Sequence, residues 1–142
     1  MFLGEHEHSL DAKGRIIIPA RYREELGEDP VMAKALDGCL AIYPCATFDE
    51  VAAQAREIAK RGPRERIAAA SLASGAVELT PDKQGRVAIP PSLRRFARLD
   101  REIVIAGNFH RVDIWDAERY WERQRLADSA IQDAEGLSEI GM

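Results

Sequence analysis

The sequence predicts an α+β chain made of two tandem β-β-α-β-β units, joined by helices and followed by a C-terminal helix. Three observations carry this prediction. The pattern Asp11-Ala12-Lys13-Gly14-Arg15-Ile16-Ile17-Ile18-Pro19, running on to Arg23, recurs as Asp82-Lys83-Gln84-Gly85-Arg86-Val87-Ala88-Ile89-Pro90, running on to Arg94. Asp, Gly, Arg, Ile, Pro and the final Arg are identical at one fixed separation, which coincidence does not readily produce and duplication does. Short apolar runs bounded by turn residues lie on both sides of each copy. An alanine-rich helical stretch separates the two halves.

Residues 1 to 10 read as extended, and Leu10 to Gly14 as a turn, with Asp at its start and Gly free to take positive φ. The β-branched run Ile16-Ile17-Ile18 predicts a buried strand. Pro19 ends it and starts a short helix carrying Arg21, Tyr22, Arg23, Glu24, Glu25 and Leu26, which Gly27 terminates. Val31 to Leu36 and Cys39 to Tyr43 form a hairpin about Asp37-Gly38. Thr47-Phe48-Asp49-Glu50 has capping-box spacing and opens a helix to Lys60, where Gly62-Pro63 breaks the chain. A linking helix runs from Arg64 to Ala73.

The second unit repeats the order: Ala76 to Leu79, the turn Pro81 to Gly85, the strand Val87 to Ile89, a helix from Pro91 to Ala97, and the strand Glu102 to Ala106. Gly107-Asn108 is then expected to turn the chain into Arg111 to Trp115. Asp116 caps a last helix whose Ala117, Tyr120, Trp121, Gln124, Ala127, Ile131 and Ala134 form a stripe at helical spacing, expected at the core or a subunit contact. The divisions are therefore 1–60, a first unit with its following helix; 61–75, the linking helix; and 76–142, the second unit with the C-terminal helix.

Composition sets limits on partners. A unit of roughly 60 residues buries only about 60% of the surface its unfolded chain exposes, so a shared core and further oligomerisation are expected. The net charge of −4 comes entirely from Asp116 onward, leaving a neutral body able to carry local basic patches. Residues 83 to 99 contain Lys83, Arg86, Arg94, Arg95 and Arg98 with no acidic residue. Cys39 and Cys45 lack the spacing of a metal or redox pair and are expected as buried thiols. The N-terminus lacks the pattern of a signal peptide, and no apolar segment is long enough to span a bilayer, so a cytoplasmic location without membrane attachment is expected.

The repeated Asp-x-x-Gly-Arg loops are the candidate site. Asp11 and Asp82 accept hydrogen bonds from turn amides, and Gly14 and Gly85 supply the turn's backbone shape. Arg15 and Arg86 then present guanidinium groups from a rigid base. With Lys13 and Lys83, these are donors suited to phosphate oxygens or to the N7 and O6 edge of guanine. The plainer alternative is that Asp11 pairs with Arg15, and Asp82 with Arg86, only to stabilise the turn.

The chain resembles the MraZ transcriptional regulators. The resemblance rests on Met1-Phe2-x-Gly4, on Leu10-Asp11-x-Lys13-Gly14-Arg15 with Pro19 and Arg23, and on Leu40-x-Ile42-Tyr43-Pro44. In the second half it rests on Asp82-x-x-Gly85-Arg86-Val87-x-Ile89-Pro90 with Leu93-Arg94 and Ala97, then Gly107 and Ile114-Trp115. The chain departs from that pattern at His110 and Val112, where Asn and Phe are expected. The resemblance implies AbrB- and SpoVT-like swapped-hairpin units forming a pseudo-twofold β-barrel. It implies a nucleoid-associated, ring-shaped homo-oligomer without cofactor. Such a protein binds short direct repeats in double-stranded promoter DNA of the bacterial division and cell-wall gene cluster, mostly as a repressor. Arg15 and Arg86 are then the DNA contacts.

Two other functions compete. Related swapped-hairpin domains serve as antitoxins, and the acidic final helix is a candidate protein-binding tail. A metal-dependent enzyme using His6 and His8 is the second, but no further ligand has recognisable spacing, so no metal site is expected.

Overall fold

The computed structural model describes residues 1–133 and 135–141. Its elements follow the duplicated order. The first half holds β1 (Glu5–Ser9), β2 (Arg15–Ile17), α1 (Ala20–Leu26), β3 (Val31–Lys34), β4 (Leu40–Tyr43) and α2 (Cys45–Ala59). After α3 (Pro63–Gly75) come β5 (Val77–Glu78), β6 (Arg86–Ala88), α4 (Pro91–Phe96), β7 (Glu102–Asn108), β8 (Arg111–Asp116), α5 (Ala117–Asp133) and α6 (Glu135–Ser138).

The two halves exchange strands. The main sheet has the antiparallel order β1-β7-β8-β4-β3-β5, and β2 pairs with β6 in a separate ribbon. The first strand of each half thus pairs with the other half, β1 on β7 and β5 on β3. Exchanging equivalent elements of the two halves turns the strand order into its own reverse, which places a pseudo-twofold axis between β4 and β8. The assigned pairings leave an open six-stranded sheet with the ribbon beside it rather than a closed barrel.

Alternation of side chains along the strands builds two cores. Met32, Leu40, Ile42, Ile103, Ile105 and Ile114 pack with Ile16, Ile18, Val87 and Ile89 of the ribbon segments and with Tyr22, Leu26 and Leu93 of the short helices. On the opposite face Ala33, Ala41, Tyr43, Val104 and Trp115 pack with Tyr120 of α5, and Phe48, Val51 and Leu72 bring α2 and α3 against them. The ribbon, the sheet and the long helices are three layers.

Several boundaries differ from expectation for local reasons. The helix expected from Thr47 begins at Cys45, because Pro44 ends β4 with extended backbone and its carbonyl accepts from Phe48 N at 3.0 Å; no side chain caps it. Cys39 is buried, and burial pushes its thiol up to about 12, whereas Cys45, in the first turn of α2, is exposed. The β7–β8 turn lies at Phe109-His110, not at Gly107-Asn108, with Phe109 at φ 60°. Gly107 serves a close approach instead: its N–H donates to Gly4 O at 2.7 Å while Phe2 bridges Phe109. The departures from the family pattern fall differently, Val112 in the core and His110 at the exposed turn.

Asp116 caps α5 as expected, its Oδ2 accepting from Arg119 N at 3.2 Å. The stripe beyond it covers less than expected. Tyr120 is buried, Gln124 and Ala127 are half-buried, and Trp121 and Ile131 are exposed; Ala134 lies outside the described residues.

A Cβ on Gly107 would stand 2.5 Å from the backbone of Phe2 and Leu3. Gly107→Ala is therefore expected to push the N-terminal segment off β7 and lower stability by about 1–3 kcal/mol, the usual range for overpacking. A denaturant titration against the parent, with the proximity of Phe2 to Phe109 followed by NMR, checks this.

Candidate nucleic-acid interface

The two loops have the same geometry to within a tenth of an ångström. Asp11 Oδ1 accepts from the backbone N–H groups of Lys13 and Arg15, both at 2.9 Å. Asp82 Oδ1 does the same for Gln84 and Arg86, also at 2.9 Å. Each turn is closed by a bond from the glycine N–H to the Asp carbonyl, 3.0 Å at Gly14 and 2.9 Å at Gly85, with the glycines at φ 72° and 80°. An L side chain resists that conformation, which explains glycine at both places.

The second carboxylate oxygen holds the arginine. Arg15 Nε donates to Asp11 Oδ2 at 2.7 Å, and Arg86 Nε to Asp82 Oδ2 at 2.7 Å. Both roles foreseen for these arginines are compatible in this arrangement. The Nε bond fixes the side chain, while among the described residues the terminal nitrogens have no protein hydrogen bond. The side chains are 28% and 32% exposed, enough to meet an external acceptor. Lys13 and Lys83 are exposed in the same loops, though at different turn positions, since Gln84 is the counterpart of Lys13.

The register of the ribbon sets the spacing of the loops. Arg15 is opposite Ala88 and Ile17 opposite Arg86, so the arginines lie diagonally across the ribbon, two residues apart along it. Ile16 and Val87 face the core, which places Arg15 and Arg86 together on the outward face. The loops occupy opposite ends of this face.

Each loop is completed by the other half. Ile18 N–H donates to Gly85 O at 3.1 Å, and Ile89 N–H to Gly14 O at 2.9 Å. The Arg94 guanidinium lies against Gly14 and that of Arg23 against Gly85, so close that a Cβ on either glycine would collide with it. Arg23 Nε is buried without a hydrogen-bond partner among the described residues. Arg23 and Arg94 were visible in the sequence as the last identical pair of the repeat. Their exchange onto the opposite loops was not, because it follows from strand pairing rather than from spacing.

His6 and His8 lie on β1, with His6 edge-on to Tyr22 at 5.3 Å. Among the described residues no group of three or more His, Cys, Asp or Glu is placed to hold a metal ion. Among the same residues no helix is long and apolar enough to cross a membrane.

A duplicated swapped-strand scaffold with paired cationic loops defines the class. Residues 1–69 and 72–136 match the family model described as "MraZ protein, putative antitoxin-like". Curated relatives include the transcriptional regulators MraZ of Cutibacterium acnes, 49% identical with 89% of this chain and 92% of the relative covered, and of Pelotomaculum thermopropionicum, 42% identical with 100% and 99% covered. The Clostridium acetobutylicum regulator is 37% identical over the whole of both chains. The chain belongs to the MraZ family, and these relatives are named as regulators rather than enzymes.

The carboxyls of Asp11 and Asp82 are held below the usual carboxylate range, first by the backbone N–H of Arg15 or Arg86 and also by the guanidinium of the same residue. A depressed folded value means the ionised carboxyl supports the turn at neutral pH, and that support disappears as pH falls through the folded value. Protection of the Arg15 and Arg86 amides, taken relative to the intrinsic exchange rate at each pH, is thus expected to persist until below the ordinary carboxylate range and then to fall together. Protection already lost near neutrality at either loop would contradict this geometry.

Proposed function

We propose that this chain is a DNA-binding transcriptional regulator whose two loops, Asp11–Arg15 and Asp82–Arg86, contact one duplex. The observation that carries the reading is the repeated, identically constrained guanidinium on a common outward face. A guanidinium pinned through Nε keeps its terminal N–H groups preorganised for a phosphate or for guanine N7 and O6, so little side-chain freedom is lost on contact. Lys13 and Lys83, without a carboxylate within 4.0 Å among the described residues, add positive charge at the tips. The names of the relatives support regulation of transcription.

In the finer reading, the chain assembles as a ring-shaped homo-oligomer and binds short promoter repeats ahead of division and cell-wall genes, mostly repressing them. Multivalency reconciles this with a neutral body, since each chain need neutralise only a few phosphates while neighbouring subunits engage neighbouring repeats. A second reading follows from the antitoxin-like description: Leu126 and Ile131 on α5 are exposed and are available to a protein partner.

Fluorescence anisotropy with duplex DNA from the chain's own upstream promoter tests the main reading. Arg15→Ala and Arg86→Ala are each expected to weaken binding by about 1–3 kcal/mol, the range for a guanidinium at a base edge, with unchanged circular dichroism. The logarithm of the affinity should fall linearly with the logarithm of salt concentration, by about 0.9 for each phosphate contacted. Parent-like binding by both variants, or salt-independent association, overturns the reading.

A further inference from the structure

The two halves exchange elements, so the helix beside each loop comes from the opposite repeat. Arg94 of α4 packs on Gly14, and Arg23 of α1 packs on Gly85. These helices occupy equivalent repeat positions but differ in charge: α4 carries Arg94 and Arg95 with no acidic residue, whereas in α1 Arg21 and Arg23 are offset by Glu24 and Glu25. Arg94, Arg95 and Arg98 in the second repeat correspond to Arg23, Glu24 and Gly27 in the first, where Glu25 and Glu28 add further negative charge.

Around α4 the basic residues line a groove. Pro91, Arg94, Arg95, Arg98 and Leu99 line a shallow, open depression of about 430 Å³. Through Arg94 and Leu99 it continues into an open depression of about 470 Å³ lined also by Asp11, Ala12 and Gly14 of the first loop and by Asp100 and Arg101. Arg95 and Arg98 are exposed and Arg94 is half-buried. Among the described residues, none of these three arginines has a carboxylate within 4.0 Å. Around α1 the charges are mixed, with Arg21 exposed and Arg23 half-buried beside Glu24, Glu25 and Glu28. Among the described residues Glu24 and Glu28 are exposed without a cation within that distance, and Glu25 takes the N-terminal amine at 2.6 Å.

We propose that the α4 groove is a phosphate-binding extension of the interface, present beside the Asp11–Arg15 loop only, so that one chain grips the duplex unequally at its two ends. This rests on the DNA-binding reading above. Guanidinium groups without a protein acceptor among the described residues, next to a loop that already presents Arg15 and Lys13, suit the phosphate oxygens of a strand lying across that loop. Glu24, Glu25 and Glu28 offset Arg21 and Arg23 at the other end, so Arg86 and Lys83 act there with less net positive charge beside them. The loop near α4 supplies most of the affinity, and the loop near α1 supplies less. The acidic α1 surface of a second copy is the competing occupant of the groove.

The test uses the full-length chain, repeat-bearing promoter duplex and a salt series. Arg95→Gln with Arg98→Gln is expected to weaken binding about tenfold at fixed salt and to flatten the salt slope by about 0.9 for each phosphate no longer neutralised. Arg95→Gln alone, a single surface change, gives the smaller effect in the same direction. Arg15→Ala is expected to weaken binding more than Arg86→Ala. An unchanged slope in the double variant, or equal effects of Arg15→Ala and Arg86→Ala, overturns the proposal. A smaller assembly by light scattering with an unchanged slope assigns α4 to a subunit contact and overturns it too. A parent chain that binds none of the duplex instead removes the DNA-binding reading itself.

Discussion

The reciprocal bonds between Ile18 and Gly85 and between Ile89 and Gly14 are the constraint on which the interface depends. Each joins the end of one repeat's strand to the loop of the other, so neither loop has its final shape until both halves are in place. The same exchange seats β1 on β7 and β5 on β3. It also lets the apolar face of a ribbon with only three residues per strand be buried, because Ile16, Ile18, Val87 and Ile89 share one core with the sheet. The distance between Arg15 and Arg86 is thereby set by strand register, which is stiff, rather than by a linker, which is not.

Each loop resolves a tension between rigidity and availability. A guanidinium fully engaged by a carboxylate has little left to offer a ligand, while one fully free loses side-chain entropy when it binds. Engagement of Nε alone lies between these limits. The carboxylate is occupied as well, by two backbone amides through its other oxygen, and this keeps it ionised and oriented.

Much of this was legible in the sequence because duplication reveals itself by identity. The turns at Gly14 and Gly85, the helix starts after Pro19 and Pro90 and the cap at Asp116 follow from local stereochemistry, and the structure places them there. Local signals misled where another one acted sooner or a distant segment intervened. Pro44 starts α2 before the capping-box residues are reached, and the backbone of Phe2 and Leu3 claims Gly107, which composition alone marks as a turn. The placement of Arg23 and Arg94 was hidden for a different reason. Spacing within a repeat says nothing about which copy a side chain will touch.

The pairing of β1 with β7 has a consequence for biosynthesis. Residues 5–9 leave the ribosome long before residues 102–108 exist, and at roughly 5–20 residues per second the nascent chain carries an unpaired β1 for several seconds or more. The outer edge of β3 likewise waits for β5. Contacts this distant in sequence favour slow, late closure, so the first repeat is exposed to wrong partners, other nascent copies included, until the second is translated.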